Sequence, residues 1–218
     1  MALKTLSIAI VILLLSFSGP SLVTAQSLES TETGVAATAE EICPIKVGAG
    51  IPSVSLKTIE GSTVELTAEV AKKPTILIFY RGGWCVYCNA QMQQLRTIEA
   101  PLKDVGYQLI AISPDRPEKL SESLEKHSLG YLLLSDSKLT AAKQFGIVFR
   151  VAEQTLQRYK TFNIDLEDAS GESHHLLPVP AVFVVGTDGI IRFSYVNPNY
   201  RERIDPDVLL AAAKAALK

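Results

Sequence analysis

The apolar residues of this chain fall into short, nearly uninterrupted runs separated by segments with helical spacing. The runs TILIFY (75–80), YQLIAI (107–112) and AVFVV (181–185) are typical of strands buried on both faces. Between the first two runs, apolar residues recur at the spacing of one helix face: Met92, Leu95, Ile98 and Leu102. Repeated alternation of strand and helix up to Gly146 predicts parallel strands joined by helical crossovers.

Other segments predict antiparallel pairing and a terminal helix. Residues 54–57 and 64–66 surround Glu60-Gly61 and predict a hairpin, and the turn at 187–189 predicts that 190–196 runs back against 181–185. Pro206 begins a predicted helix, whereas 149–178 is polar and predicted to be irregular. The expected fold is an α/β, three-layer α/β/α sandwich with a mixed central sheet.

The first 25 residues have the pattern of a signal peptide. Lys4 precedes an apolar run over 6–17, and Val23-Thr24-Ala25 provides a small-x-small cleavage site. The run is about a dozen residues, within the ~7–15 of a signal-peptide core and short of the ~20 that span a bilayer. We therefore predict a signal peptide at 1–25, a flexible leader at 26–44 and a domain at 45–218. The expected location is the periplasm or the cell exterior, with no stable membrane insertion after cleavage; an uncleaved anchor is the alternative.

Composition excludes some classes of function. A net charge of −2 and a pI near 6.0, without any cluster of Lys and Arg, give no electrostatic basis for binding nucleic acid. Three cysteines are too few for a disulfide-stapled scaffold, although export would place them where disulfides persist.

Two cysteines follow the first buried strand in the segment FYRGGWCVYCN (79–89). Cys85 and Cys88 fall in the first turn of the predicted helix, where the helix dipole and free backbone N–H groups stabilise a thiolate. Their spacing lets the second sulfur close a disulfide on the first and expel an attached group. Gly82-Gly83 permits the tight turn, and Trp84 is expected to line one side of the site.

The segment FYRGGWCVYCNAQMQQL resembles the active-site region of the thioredoxin-like superfamily, in its peroxiredoxin-like branch (the alkyl hydroperoxide reductase and thiol-specific antioxidant family). VGAGIPSVSLKTIEGSTVEL is similar to the beginning of that family's domain, and YVNPNYRERIDP to the end of its less-studied members. VPAVF (179–183) is similar to the segment in which a cis proline, here Pro180, faces the active-site disulfide. The resemblance implies a thiol-dependent enzyme without a bound cofactor.

The chain departs from the peroxiredoxin pattern at two positions. Family members carry a threonine three residues before the peroxide-attacking cysteine, and matching the motifs puts Cys88 at the attacking position and Cys85 in place of the threonine. They also carry an arginine where this chain has Pro180; Arg81 or Arg150 are candidates to replace it. These departures favour a dithiol in which Cys85 is the exposed nucleophile and Cys88 the resolving cysteine.

The leading hypothesis is an exported antioxidant oxidoreductase that reduces disulfides, and hydroperoxides secondarily, with Cys85 and Cys88. Trp84, Arg81 and Pro180 support the site, and an external thiol reductant such as a thioredoxin-like protein reopens the disulfide. One alternative is a peroxidase with Cys88 as the attacking residue. Another is a copper- or zinc-handling protein that adds His174 and His175 to the cysteines. Cys43 is either a resolving cysteine or a free thiol in the leader.

Overall fold

A mixed seven-stranded sheet lies at the centre of the computed structural model, which describes residues 34–127, 130 and 132–217. The strands are β1 (Val35–Ala36), β2 (Ser55–Lys57), β3 (Thr63–Glu65), β4 (Thr75–Phe79), β5 (Gln108–Ser113), β6 (Leu132–Ser135), β7 (Val148–Arg150), β8 (Leu176–Pro178), β9 (Ala181–Val185) and β10 (Ile191–Val196). The sheet has the order β10-β9-β4-β5-β6-β2-β3. β4, β5 and β6 are parallel, while β9 runs antiparallel to both β4 and β10, so the predicted mixed sheet is confirmed.

Helices cover both faces of this sheet. They are α1 (Leu66–Val70), α2 (Val86–Asp104), α3 (Pro117–His127), α4 (Thr140–Gln144), α5 (Glu153–Thr161), α6 (Leu166–Ser170) and α7 (Pro206–Ala216). Alternate residues of β4 point to opposite faces, so Ile76 and Ile78 pack with α2 and α7, whereas Leu77 and Phe79 pack with α1 and α4. Each such fully buried side chain contributes roughly 1.5–3 kcal/mol to stability, which explains why β4 is apolar from Ile76 to Phe79. The predicted three-layer sandwich is confirmed.

The prediction of an irregular segment over 149–178 is wrong. This segment contains the end of β7, both α5 and α6, and β8, which pairs antiparallel with β7. Its few apolar residues form a small cluster of their own: Val151, Leu156, Leu166 and Leu177. The helices are short and bury only one side chain or a few each, so their apolar residues are too sparse to show a helical period in the sequence.

The described part of the segment that we assigned to the leader lies against the domain. Val35 and Ala36 pair in parallel with Val148 and Phe149, and 39–41 form a 3₁₀ turn. The domain boundaries stay a prediction, and the predicted signal peptide at 1–25 lies outside the described residues. Among the helices of the described chain, none combines the length and apolar character needed to cross a bilayer.

Candidate active site

The two cysteines lie where β4 turns into α2, at the centre of the sheet. Tyr80 extends the strand by donating its N–H to the Ile112 carbonyl at 3.0 Å, and the chain then turns over residues 81–84. Cys85 is the N-cap of α2, and Cys88 lies in the first turn of that helix. The helix therefore begins where the sequence predicted, with both sulfurs at its positive end.

A glycine is required at position 82 because two neighbouring side chains approach its backbone closely. Its φ is +140°, and a Cβ at this position would lie 2.7 Å from Asp115 Oδ1 and in contact with Trp84 Nε1. Gly83 donates its N–H to Asp115 Oδ2 at 2.7 Å, and its carbonyl accepts from Asn89 Nδ2 at 2.9 Å. The glycine pair thus permits the predicted tight turn, but Trp84 and Asp115 fill the space beside Gly82.

Both cysteines are free thiols with little exposed surface: Cys85 is 3% exposed and Cys88 0%. The expectation that Cys85 is exposed is therefore wrong. Its side chain belongs to the cluster that contains Cys88 and Tyr80, and Trp84 packs against that cluster. The exposed part of the motif is instead Val86-Tyr87, of which Val86 is 71% exposed.

The two sulfurs differ in electrostatic environment. Hydrogen bonding with the Cys88 thiol lowers the pKa of Cys85 to about 6, against the opposing effect of burial, and the positive charge of Arg81 also lowers it. Burial raises the pKa of Cys88 well above its ordinary value, and the neighbouring Cys85 raises it further. Because the thiolate is the reactive form of cysteine, Cys85 is the more readily activated thiol of the pair.

Arg81 lies beside Cys85 within a group of aromatic rings. Its guanidinium carbon is 4.2 Å from the centre of the Tyr200 ring and 5.0 Å from that of Trp84, and one guanidinium nitrogen donates to the Tyr159 hydroxyl. Arg81 itself is 3% exposed. This aromatic enclosure holds the guanidinium beside the turn, where it favours the Cys85 thiolate.

Arg203 lies beside Cys88 and is a site residue that our sequence reasoning missed. Its Nη2 is 3.5 Å from Cys88 Sγ, and its Nη1 donates to Gln91 Oε1 at 2.9 Å. The two residues are 115 positions apart in the chain, so no local spacing connects them. The only signal in the sequence is the tail segment YVNPNYRERIDP, which contains both Arg203 and Tyr200.

Asp115 is a second residue that the sequence analysis missed. It is 1% exposed, and burial raises the pKa of its carboxyl to about 6 while the Gly83 N–H partly counteracts this. Oδ1 has no hydrogen-bond partner in the structure. Asp115 is the second residue after β5, at the carboxyl end of a strand parallel to β4, which brings its side chain to the turn.

Two cavities open on the two sides of the cysteine pair. The Arg81 cavity has a volume of about 270 Å³, and its lining includes Arg81, Arg150, Tyr159, Pro180 and Tyr200. The Arg203 cavity has a volume of about 560 Å³, and its lining includes Tyr87, Gln91, Arg201 and Arg203. Arg81 thus lines one cavity and Arg203 the other, whereas neither Cys85 nor Cys88 is among the lining residues of either cavity.

The cis proline expected at Pro180 is not present, because the described residues contain no cis peptide bond. Pro180 connects β8 of the small sheet with β9 of the central sheet, and Val179 donates its N–H to the Ile147 carbonyl at 2.8 Å. Extended chain on both sides leaves no tight turn that would favour the cis form over the usual trans form. Pro180 lines the Arg81 cavity, and its supporting role stays a prediction.

Cys43 lies apart from the residues that surround the cysteine pair. It is exposed and lines a small cavity with Gly34, Gly146 and Val148, and no residue of the 79–89 turn lines that cavity. The carbonyl of Cys43 would meet a Cβ at Gly146, which explains the glycine there. A resolving role for Cys43 stays a prediction.

The histidine pair has other partners than the cysteines. His174 contacts the Ser137 carbonyl through Nε2 and accepts from the Leu176 N–H through Nδ1, while His175 pairs with Glu167 at 2.7 Å. Over 34–127, 130 and 132–217, no cluster of three or more His, Cys, Asp or Glu could hold a metal ion. The composite metal site that the sequence suggested as an alternative is not assembled in this structure.

Comparison with known proteins identifies the family. Residues 47–194 match the AhpC/TSA family. The chain belongs to this family. Peroxiredoxin Bcp of Escherichia coli K12 is 36% identical over 104 residues, a segment that covers 48% of this chain and 66% of the Escherichia coli protein, just under two thirds of its length. The resemblance to the peroxiredoxin-like branch is thereby confirmed.

Solved structures support the fold. Peroxidoxin BcpB from Mycobacterium tuberculosis has a TM-score of 0.62 at 22% identity, covering 78% of this chain and 97% of its own. Thiol peroxidase from Chromobacterium violaceum has a TM-score of 0.60 at 18% identity, covering 84% of this chain and 97% of its own. The family match ends at residue 194, so Tyr200 and Arg203 lie beyond the matched segment.

Proposed function

We propose that this protein is an exported thiol-dependent oxidoreductase in which Cys85 attacks and Cys88 resolves. The asymmetry between the two sulfurs supports this assignment, because Cys85 is stabilised as a thiolate and Cys88 is held as a thiol. The membership in the AhpC/TSA family supports thiol chemistry in general. No cofactor is required, since the sulfurs exchange the electrons themselves.

The proposed reaction has two displacement steps. The Cys85 thiolate attacks one sulfur of a substrate disulfide, forming a mixed disulfide and releasing the first thiolate. Cys88 then loses its proton and attacks Cys85 Sγ, which releases the second thiolate and leaves the protein with a Cys85–Cys88 disulfide. The substrate is reduced and the protein oxidised by two electrons. An external thiol reductant, such as a thioredoxin-like protein, restores the dithiol.

Single-cysteine variants test this assignment. With a model disulfide, Cys88→Ser is expected to accumulate a mixed disulfide on Cys85, because the resolving sulfur is absent. Cys85→Ser is expected to accumulate none on Cys88, whose thiol is buried and protonated at neutral pH. Peptide mass spectrometry locates the adduct, and Cys43→Ser provides the background that removes the exposed third thiol. A mixed disulfide on Cys88 in the Cys85→Ser variant would reverse the roles.

A second candidate is a hydroperoxide reductase in which Cys88 attacks the peroxide. The observation that favours it is Arg203 Nη2 at 3.5 Å from Cys88 Sγ, a cation that would stabilise a thiolate and polarise a bound peroxide. The attack would place one peroxide oxygen on sulfur as a sulfenic acid and release an alcohol or water. The related peroxiredoxins are consistent with this chemistry.

Trapping of the sulfenic acid discriminates between the two candidates. In Cys85→Ser treated with hydrogen peroxide, the peroxidase candidate predicts a dimedone adduct on Cys88, and Arg203→Gln should reduce its rate of formation about tenfold. Arg201→Gln is the matched control, since Arg201 contacts the Tyr87 and Tyr200 rings instead of a sulfur. Absence of any adduct on Cys88 would leave only the candidate with Cys85 as nucleophile.

Export rests on the N-terminal pattern alone. The apolar run over 6–17 and the Val23-Thr24-Ala25 site support a cleaved signal and a periplasmic or extracellular location. N-terminal sequencing of the purified mature protein should begin at Gln26. A protein that retains Met1 and fractionates with membranes would instead support the uncleaved anchor.

A further inference from the structure

Arg81 is a buried cation with incomplete pairing. It is 3% exposed, its Nε has no hydrogen-bond partner, and its recorded side-chain hydrogen bond is to the neutral Tyr159 hydroxyl. Within the described part of the chain, no carboxylate forms an ion pair with it. The aromatic rings around it compensate only part of the cost of removing a charge from water. A buried guanidinium in this condition has free donor capacity for an anion.

The Arg81 cavity provides the space for such an anion. Arg81 and Arg150 line it against a single acidic residue, the exposed Glu40, so the charged lining residues have a net charge of +1. Much of the remaining wall is apolar and includes Phe149, Val179 and Pro198. A cavity of about 270 Å³ with apolar walls and a guanidinium suits a small anion with a short hydrocarbon body.

The cavity lies on the side of the reactive sulfur. Arg81 precedes Cys85 by four residues, and its charge acts on the Cys85 thiol, whereas Arg203 contacts Cys88 on the other side. Tyr159 also lines the cavity, and besides burial the charge of Cys85 is one of the causes that raise the pKa of its hydroxyl. Cys85 does not itself line the cavity, but Trp84 connects the two, because its ring centre is 5.0 Å from the Arg81 guanidinium carbon and it packs against the cluster that contains Cys85.

We propose that the Arg81 cavity binds the carboxylate of a small acidic disulfide, and so selects carboxylate-bearing substrates for attack by Cys85. Planar, bidentate pairing with a carboxylate is the interaction for which a guanidinium is best suited. This inference rests on the proposed function, because it names the class of substrate for that same site. The disulfide of 3-mercaptopropionate carries a carboxylate three bonds from each sulfur and serves as the probe.

Its reduction balances as two displacements. Cys85 thiolate attacks one sulfur, the substrate S–S bond breaks, and 3-mercaptopropionate leaves as a thiolate. Cys88 then gives its proton to the first released thiolate and attacks Cys85 Sγ, the bond between Cys85 and the substrate sulfur breaks, a second 3-mercaptopropionate leaves as a thiolate, and the protein disulfide forms. Dithiothreitol in the assay supplies the electrons for the next cycle.

A substrate series of different charge provides the kinetic test. Each kcat/KM is first divided by the rate constant for reduction of the same disulfide by dithiothreitol alone. The resulting value should be at least about tenfold higher for the 3-mercaptopropionate disulfide than for bis(2-hydroxyethyl) disulfide, and lowest for cystamine. Arg81→Gln slows every substrate but should also reduce the ratio of acidic to neutral substrate to about 1. Arg150→Gln should reduce that ratio partly. Arg158→Gln, an exposed residue of α5 outside the cavity, should leave it unchanged.

Binding of suberate tests the cavity without catalysis. Suberate is the all-carbon analogue of the probe and cannot react, and Trp84, the single tryptophan, lies 5.0 Å from Arg81 and reports on the site. Suberate should change the Trp84 fluorescence saturably, and 1,8-octanediol should not. Glu40→Gln should tighten binding about two- to threefold by removing the opposing charge. Circular dichroism of Arg81→Gln verifies that this variant is folded.

The outcomes separate the two proposals. No binding of suberate, together with equal turnover of acidic and neutral disulfides, overturns the carboxylate site and leaves the proposed function standing. Binding of suberate with no turnover of any disulfide overturns the proposed function and retains an anion site. Competition by inorganic phosphate as strong as that by suberate would overturn the assignment to a carboxylate.

Discussion

Cys85 and Cys88 each have an arginine beside them, and the two arginines are held in different ways. Arg81 comes from the turn itself and is enclosed by aromatic rings, with no carboxylate partner in the described chain. Arg203 comes from the loop before α7 and is fixed by Gln91. The difference between the sulfurs follows from their positions on α2: Cys85 is the N-cap residue of the helix, whereas Cys88 lies in its first turn and is fully buried.

This comparison shows that one motif provides two distinct chemical environments. On the Cys85 side the thiolate is stabilised, which suits attack on an electrophile; on the Cys88 side burial keeps the proton on sulfur until a disulfide must close. Arg203 nevertheless lies near enough to Cys88 to assist a later thiolate. Three measurements would break or sharpen this division, and they follow in order of decreasing expected effect.

The reactivity of the two thiols should differ most. In a Cys43→Ser background, iodoacetamide should modify Cys85 at least about 100-fold faster than Cys88 at pH 7, because only Cys85 is largely ionised there. The rate at Cys85 should increase from pH 5 to pH 7 with a midpoint near its pKa of about 6 and then level off. Peptide mass spectrometry against time gives both rates. Equal rates, or a midpoint above pH 8, would remove the asymmetry on which the comparison rests.

The second-largest effect is expected on the free energy of unfolding, from the buried carboxyl of Asp115 beside the turn. Because burial raises the pKa of Asp115 from 3.8 to about 6 in the folded state, its stabilising contribution is complete below pH 4 and is lost as the pH rises through about 6. Asp115→Asn should therefore increase the free energy of unfolding by about 1–3 kcal/mol at pH 7 and leave it nearly unchanged at pH 4. Urea denaturation at both pH values measures this.

Asp136 provides a matched control for that measurement. It is also buried with a pKa raised to about 6, but its two oxygens accept from the Ala141 and Ala142 N–H groups at the start of α4. The side chain of asparagine has one acceptor oxygen instead of two. One oxygen is enough to accept the Gly83 N–H at position 115, but it cannot accept both N–H groups at position 136 as the two carboxylate oxygens do. Asp136→Asn relieves a similar cost of charge but loses one of the two hydrogen bonds, so its gain in the free energy of unfolding at pH 7 should be about 1–2 kcal/mol smaller than that of Asp115→Asn. A smaller gain at position 136 supports the account; an equal or larger gain there contradicts it.

Replacement of the two arginines should change the pKa of Cys85 by different amounts, and this is the smallest of the three expected effects. Arg81→Gln should raise the pKa of Cys85 by about 1, and slow its alkylation at pH 6 by up to about tenfold, since a nearby cation is lost. Arg203→Gln should change Cys85 less, because among the causes that lower its pKa the charge of Arg203 is the weakest. Thiolate absorbance at 240 nm against pH reports the titration. If Arg203→Gln raised the pKa of Cys85 more than Arg81→Gln does, Arg203 would be the main cation acting on Cys85, which would contradict the assignment of one arginine to each sulfur.

Local sequence determined the turn and its chemistry. A buried run, a glycine pair and CVYC predict a strand, a tight turn and a helix with two sulfurs at its start, because hydrogen bonding and sterics over neighbouring residues decide all three. The central strands and α2 follow for the same reason. Where apolar residues were sparse, as in α5 and α6, the pattern was too weak to predict helices.

Only the tertiary structure decided what surrounds the sulfurs. Tyr200 and Arg203 reach the site from the loop before α7, and Asp115 from the end of β5, across separations that no periodicity encodes. Burial of Cys85 and the trans bond at Pro180 are likewise consequences of packing and of where the chain changes sheets. The sequence thus predicted which sulfurs react, whereas the assembled fold decided their ionisation, their exposure and the cavities around them, because those depend on residues distant along the chain.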